Sequence, residues 1–213
     1  MKIASFAAAV VAATGLAHAT SIVAPVAISS PEGSNPGFPI ADIINQVGLD
    51  AAYTPGVTDF DSYTASTLHD DFDGTGFTNT ESNGPQVFTF SLASLTTVDA
   101  IAIWNTGSVG AVTSFSLEID DDTDRSNGVL GTVLAQQALA TNSGSQSAQV
   151  FAFSEVTSMV FHVVGLSSLA PPDFYGLGEV AFRSASAPVP VPGALPLFIA
   201  GIGALAAKRR ARK

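Results

Sequence analysis

"QVFTFSLASLTTVDAIAIWN" runs from Gln86 to Asn105 and reads as two strands in succession. Between Gln86 and Leu92, Val87, Thr89 and Ser91 fall on one face and Phe88, Phe90 and Leu92 on the other, the period of two that a half-buried strand requires. Val98 to Asn105 continues the pattern. Outward from this stretch, the same signal recurs in "VTSFSLEID" (Val112 to Asp120), "QVFAFS" (Gln149 to Ser154), "SMVFHVVGL" (Ser158 to Leu166) and "GLGEVAFR" (Gly176 to Arg183). "SIVAPVAISS" (Ser21 to Ser30) reads as a first strand, with Pro25 marking an edge or a bulge. Turns rich in Gly, Asn, Asp and Pro separate these runs, long amphipathic helices are hard to find, and no repeat of fixed period is visible. Seven or eight short strands of this kind predict an all-β fold, an antiparallel β-sandwich or jelly roll. "IADIINQVGL" (Ile40 to Leu49) suits one short helical turn, and Asp50 to Pro85 reads as a long ordered loop.

The two ends of the 213-residue chain differ from its middle. Met1 to Ala19 carries Lys2, then an apolar run, then Ala17-His18-Ala19, the small-x-small form of a signal-peptidase site. A signal peptide over residues 1–19, cleaved between Ala19 and Thr20, is therefore expected, with signal peptidase as a partner. All 18 acidic residues lie between Glu32 and Glu179, whereas Arg125 and Arg183 are the only basic residues from Thr20 to Ala187, a net charge of −16 over that span. So acidic a surface repels phosphate backbones and excludes nucleic acid as a partner; cations and neutral glycans remain. The absence of cysteine excludes disulfides, thiol catalysis and cysteine-bound zinc, so the domain relies on its core.

"PQVFTFSLASLTTVDAIAIWN", "VTSFSLEIDDD", "VTSMVFHVVGL" and "GLGEVAFR", in that order, resemble the discoidin-like, galactose-binding-like jelly roll. In that family one strand ends in Asp-Leu-Gly, where this chain has Ser91-Leu92-Ala93, and another ends in a Ser-x-Asp-Gly turn, where this chain has Asp120-Asp121-Asp122. The resemblance covers about Ser21 to Arg183 and implies a single sandwich over residues 20–184.

Among residues with chemistry to offer, "TDFDSYTASTLHDDFDGTGF" (Thr58 to Phe77) is the densest acidic cluster. Hard cations need several oxygen ligands from a chain that bends tightly, and Asp-x-Asp with Gly supplies both. The resembled fold often carries a structural calcium ion in an early loop, which implies Asp59, Asp61, Asp71 and Asp73 as ligands; a solvated acidic loop explains the same residues. "DDDTDRSNG" (Asp120 to Gly128) fits a turn between strands better than a second ion site. His162, inside an apolar run, reads as a strand-face histidine; His69, beside Asp70 and Asp71, as an exposed loop residue or else a base or metal ligand. No nucleophile elbow, zinc-protease helix or phosphate loop is present. Trp104 ends an apolar strand and belongs to the core, which leaves Tyr53, Tyr63 and Tyr175, in expected loops, as the rings on which a sugar face would stack.

From Gly193 to Ala207 fifteen residues carry no charge, and "KRRARK" follows at residues 208–213. As a helix the segment spans about 22 Å, short of a hydrocarbon core of about 30 Å. The basic cluster would stay cytoplasmic and hold the acidic domain outside. With a proline-containing motif before it at residues 185–192, this C-terminus resembles the PEP-CTERM class of bacterial sorting signals, in its VPLPA-type variant. The motif here is Val189-Pro190-Val191-Pro192-Gly193. That resemblance implies a short transmembrane helix at residues 193–207 and an exosortase as the membrane partner that reads the motif, removes the tail and passes the domain to the cell surface. Together these readings describe an exported surface protein with a non-catalytic module that binds extracellular polysaccharide. The rivals are a secreted glycoside-active enzyme using loop carboxylates and a purely structural matrix protein.

Overall fold

The computed structural model describes residues 20–78, 84–107, 110–169 and 174–185; the expected leader, sorting motif and terminal segment lie outside them. In chain order the elements are β1 (Ile22–Val23), β2 (Ala27–Ser29), a 3-10 turn (Ile40–Ile44), α1 (Phe60–Ser66), β3 (Leu68–His69), β4 (Gly76–Phe77), β5 (Gln86–Trp104), β6 (Val112–Asp120), a second 3-10 turn (Arg125–Asn127), β7 (Gly131–Ala138), β8 (Gln146–Ser168), β9 (Gly176–Leu177) and β10 (Glu179–Ser184). One compact unit covers Thr20–Ser186.

The two strands expected between Gln86 and Asn105 are one, β5, and those expected within Gln149–Leu166 are likewise one, β8. Each doubles back midway, so both layers of the sandwich share them. In the first layer Gln86–Ser91 pairs with Val160–Gly165 of β8, β2 lies on the other side of β5, and β6 then β7 extend the sheet beyond β8. In the second, Ala100–Trp104 pairs with Ala148–Ala152, with β10 and β1 beyond. The register breaks between Ser91 and Thr96 and again between Val98 and Ala100. These bulges reset the alternation: Phe88, Phe90 and Leu92 face inward, then Val98, and after a gap of three Ile101 and Ile103. The inward faces of both layers meet in one cluster, where the ring centres of Phe161 and Phe182 are 4.6 Å apart and those of Phe90 and Phe182 6.4 Å.

The outer face of the second layer is small by design: Ala100, Ala102 and Ala181 leave room for α1 and the preceding loop to lie close against the sheet. Ile22, Tyr53, Phe60, Tyr63 and Trp104 fill a second apolar cluster there. The expected long loop thus contains a helix. Asp59 starts it, its carboxylate accepting the Ser62 N–H at 2.9 Å and the Ser62 hydroxyl at 2.6 Å. These bonds hold the Asp59 carboxyl below its ordinary value, the hydroxyl contributing most. Asp59→Ala is expected to lower the melting midpoint in urea by the equivalent of about 1 kcal/mol.

Strand direction fixes where the ends of the domain lie. β10 starts beside Trp104 and ends beside Val98, and the Ala185 N–H donates to the Thr97 carbonyl at 3.0 Å. Ser21 N–H meets the Ser184 hydroxyl at 2.9 Å, and Ser184 N–H returns to the Ser21 carbonyl at 2.9 Å. The chain therefore enters and leaves the domain at the end where β5 and β8 fold over. The loops after Trp104 and before β9 gather at the opposite end.

Candidate functional site

At that opposite end an open cleft of about 620 Å³ is lined by Asn35, Phe38, Asp71, Phe72, Phe77, Gly107 and Phe174. Its aromatic wall rests on a short ladder. Phe77 N–H donates to the Phe38 carbonyl and Asn35 N–H to the Phe77 carbonyl, each at 2.9 Å, while β4 pairs with β9. The Asn35 side chain accepts the Gly37 N–H at 2.9 Å and closes the turn that presents Phe38. Phe72 meets Phe38 edge-on, centres 5.0 Å apart, and Phe38 meets Phe77 at 5.6 Å. Phe72 is 52% exposed although it has an aromatic ring to hide.

The turn that carries Phe72 is held from below. Asp70 accepts the N–H groups of Phe72 and Asp73 at 3.0 and 3.2 Å, and these bonds lower its pKa. Gly74 has a left-handed backbone at φ 74°, and a Cβ there would stand 1.8 Å from the Val47 carbonyl oxygen, so no other residue fits. Asp71 is fixed at both its backbone and its side chain: its carbonyl accepts the Thr106 hydroxyl at 2.9 Å and its Oδ2 accepts the Gly144 N–H at 3.1 Å. Its Oδ1 is shielded from water and has no hydrogen-bond partner among the described residues.

His69 is buried beneath this turn rather than exposed. Its ring sits between Gly48 and Gly178, where an added Cβ would come within 2.7 Å of Cε1 and 2.9 Å of Nδ1 respectively. Nδ1 is 2.6 Å from the Asp70 carbonyl, which makes it the protonated nitrogen, and burial pushes the pKa down, so the ring is neutral. It is a packing residue beneath the turn.

The tyrosines expected to stack on sugar are in the interior instead. Tyr53, Tyr63 and Tyr175 are 5%, 7% and 3% exposed, too little to offer a face to a ligand. Tyr63 lies edge-on to both Tyr53 and Trp104 and donates its hydroxyl to the Ala51 carbonyl. Tyr175 belongs to the main core, against Gly165. Tyr53 donates its hydroxyl to Glu179 at 2.9 Å, and Glu179 also accepts the N–H of Gln46, a residue with a left-handed backbone at φ 65°. Glu179 is fully buried, and that burial pushes its pKa up to about 8 despite the two hydrogen bonds.

Nor does the structure bring the four aspartates of the expected ion site together. Asp59 caps α1, Asp61 pairs with Arg183 at 3.0 Å, Asp71 lines the cleft and Asp73 is exposed. Among the described residues no three His, Asp or Glu side chains are placed to hold a metal. Three of the four side chains are spent on a helix cap, an ion pair and a cleft wall and the fourth stands in solvent, so the four are not gathered as one ligand set. Asp120 to Gly128 is a turn, as read from its composition, with a 3-10 segment capped by Asp124.

A polar row crosses the outer face of the first layer. Thr89 Oγ1 lies 2.9 Å from His162 Nδ1, and His162 Nε2 lies 3.2 Å from Asp120 Oδ2. Burial raises Asp120, but hydrogen bonds from the Asp121 N–H and from His162 outweigh it and hold the carboxylate below its ordinary value. The order hydroxyl, imidazole, carboxylate matches a nucleophilic triad, yet all three residues are at most 2% exposed. A substrate has no route to the hydroxyl, and the row serves to tie three strands together.

The fold is a β-sandwich of the type found in family 32 carbohydrate-binding modules. One solved relative in shape is the family 32 module of Clostridium perfringens NanJ in complex with galactose: 13% identity over 78% of this chain and 99% of that one, TM-score 0.51. The paired modules of C. perfringens ZmpB in complex with GalNAc match 78% of this chain and 35% of theirs at 13% identity and TM-score 0.52. Truncated AlyQ, with a family 32 module and an alginate lyase domain, matches 80% of this chain and 35% of its own at 14% identity and TM-score 0.51. Likeness at this level establishes the fold. No family model matches the sequence, and no curated protein does either.

Proposed function

We propose that the domain is a non-catalytic glycan-binding module of an exported bacterial surface protein, and that sugars bind in the cleft of Phe38, Phe72, Phe77 and Phe174. The observation that carries this reading is the half-exposed Phe72, a ring carried on a turn that the Asp70 hydrogen bonds and the left-handed Gly74 hold in shape. An apolar sugar face stacks on such a ring, while Asn35 and Asp71 supply polar atoms for hydroxyls. The galactose and GalNAc bound by modules of the same fold support the ligand class.

Binding is favoured over hydrolysis by the count of carboxylates. Glycoside hydrolysis by the common routes needs two, roughly 5–9.5 Å apart across the scissile bond. Asp71 is the one carboxylate among the described residues that line the cleft. Placement supports surface display: the cleft lies at the end of the domain opposite Ala185, from which the chain continues toward Val189-Pro190-Val191-Pro192-Gly193. In our reading an exosortase cuts near that motif and passes the domain to the cell surface.

A glycan-array screen of the full chain against Phe72→Ala tests the module. Loss of at least about tenfold in affinity, with an unchanged melting temperature, is expected; release of reducing sugar would replace the reading with an enzymatic one. For sorting, the intact mass of the protein from its own host is expected to lack Lys213, and Pro190→Ala with Pro192→Ala to retain it in the membrane fraction.

A further inference from the structure

Behind the Phe72 turn lies a carboxyl group that reaches no solvent. Glu179 stands two residues before Ala181 on β10 and so faces the same way, toward the second apolar cluster. Above it the chain from Asn45 to Asp59 crosses as a strap with no helix or strand. Glu179 fastens this strap at two points: one carboxyl oxygen accepts the Gln46 N–H at 3.0 Å, the other the Tyr53 hydroxyl at 2.9 Å. The Gln46 side chain in turn accepts the Tyr53 N–H at 2.8 Å and closes a ring of bonds around the carboxyl. Gln46 does this from a left-handed backbone, φ 65°, which a residue other than glycine adopts only when its surroundings hold it there.

The residues that follow Gln46 carry the turn of Phe72. Gly74 lies directly on the Val47 carbonyl, and a Cβ at Gly48 would stand 2.1 Å from the Asp73 carbonyl oxygen. The Gly48 carbonyl accepts the Asp70 N–H at 2.7 Å, and Asp50 N–H donates to the Leu68 carbonyl at 2.9 Å. Gly178, next to Glu179 in the chain, packs on the His69 ring beneath the same turn. Contacts this close leave no gap to absorb a displacement of Gln46, so it passes to the turn.

We propose that Glu179 is a positioning residue of the cleft: its neutral carboxyl holds the strap against the Phe72 turn, and release of its proton loosens both and weakens sugar binding. This rests on the glycan reading of the cleft. A buried carboxylate needs a cation or water beside it. The titratable groups around Glu179 are Tyr53 and Tyr63, with Asp50 beyond Tyr63 and the neutral His69 beside Gly178; none supplies positive charge. Arg125 clasps Glu118, and Arg183 is taken up by Asp99 and Asp61. On the sheet side Glu179 is matched in register by the fully buried Trp104 of β5. Water therefore reaches the ionised group by displacing the strap. Burial sets the change at about 8, so the turn is held below that pH and released above it.

The test follows the full chain, held in mild detergent, from about pH 6 to about pH 9.5, as wild type and as Glu179→Gln. One series records the Phe72 ring and Val47 methyl carbon resonances without sugar, the other the affinity for galactose and N-acetylgalactosamine. In the wild type the resonances are expected to move around a midpoint of about 8. Affinity is expected to fall about tenfold between pH 7 and pH 9, as the protonated fraction falls from about ten-elevenths to about one-eleventh. Glu179→Gln keeps the neutral form, so both series are expected to stay flat, with the variant at pH 9 binding as the wild type does at pH 7. Tyr53→Phe removes a hydrogen bond that favours the ionised carboxyl and is expected to move the midpoint upward. A Phe72 resonance that stays fixed across pH 8, or moves equally in Glu179→Gln, overturns the proposal, as does a wild-type affinity that ignores pH. Resonances that move as expected while neither sugar binds at any pH overturn the glycan reading and leave the coupling of Glu179 to the turn standing. Should Glu179→Gln not fold, the midpoints of wild type and Tyr53→Phe decide the matter.

Discussion

With Glu179 replaced by glutamine, the domain is expected to keep its stability as pH rises toward 8, where the wild type loses it. Unfolded, the carboxyl titrates near its ordinary 4.5; folded, burial pushes it up to about 8. Between those values the folded protein holds a proton that the unfolded chain has released. Stability therefore falls as pH rises across the window, is fully present below the lower value, and is lost above the upper one. The loss is on the order of a few kcal/mol. Glutamine resembles the protonated acid and does not titrate, so its curve omits this slope. His69 acts in the opposite sense: burial lowers its pKa from 6.5, so protonation at low pH opposes folding in both proteins. Subtracting the two urea-midpoint curves isolates Glu179, and parallel curves would show that its carboxyl is not protonated in the folded state.

Trp104→Ala is expected to cost about 3–5 kcal/mol, the range for a large aromatic removed from a core. Trp104 is fully buried, lies edge-on to Tyr63 at 6.0 Å, and donates its indole N–H to the Thr67 carbonyl at 3.0 Å, just past the end of α1. The small Ala100, Ala102 and Ala181 around it cannot close the cavity without drawing the helix down onto the sheet. The change should lower the melting temperature by roughly ten degrees or more. Phe72→Ala, in contrast, removes an exposed ring and should barely move it. A calorimetric scan of both variants separates a residue that holds the domain from one that serves its cleft.

The sandwich was legible in the sequence because alternation is a local signal, and Phe88, Phe90 and Leu92 announce a buried face unaided. The continuity of β5 and β8 was not, since what joins each pair of expected strands is a bulge, a matter of partner register. The helix inside the expected loop was masked by its length of seven residues and its mixture of Ser, Thr and Asp, although Asp59 with Ser62 is a helix-start pattern. The site misled for a chemical reason. Tyr and Trp are the usual sugar-stacking rings, and the three tyrosines sit among loop residues; yet here Tyr53 is drawn inward by Glu179, and Tyr63 and Tyr175 by the two cores. Phe72 did leave a trace, as a lone aromatic between Asp71 and Asp73 in a glycine turn, where an apolar ring has no local reason to be. Glu179 was visible as a residue of the last strand, but its partners Gln46 and Tyr53 lie more than 120 positions away.

The claim on which the rest depends is that sugar binds at the end of the sandwich away from the chain's exits. Titrating the isotope-labelled protein with galactose, N-acetylgalactosamine and the best ligands of the glycan array, while following its backbone amide resonances, tests it most directly. The account predicts that shifts concentrate at Asn35, Phe38, Asp71, Phe72, Phe77 and Gly107 and saturate together. Shifts confined to the fold-over end, around Val26, Leu95 and Ser184, or no shifts at any sugar concentration, would contradict it.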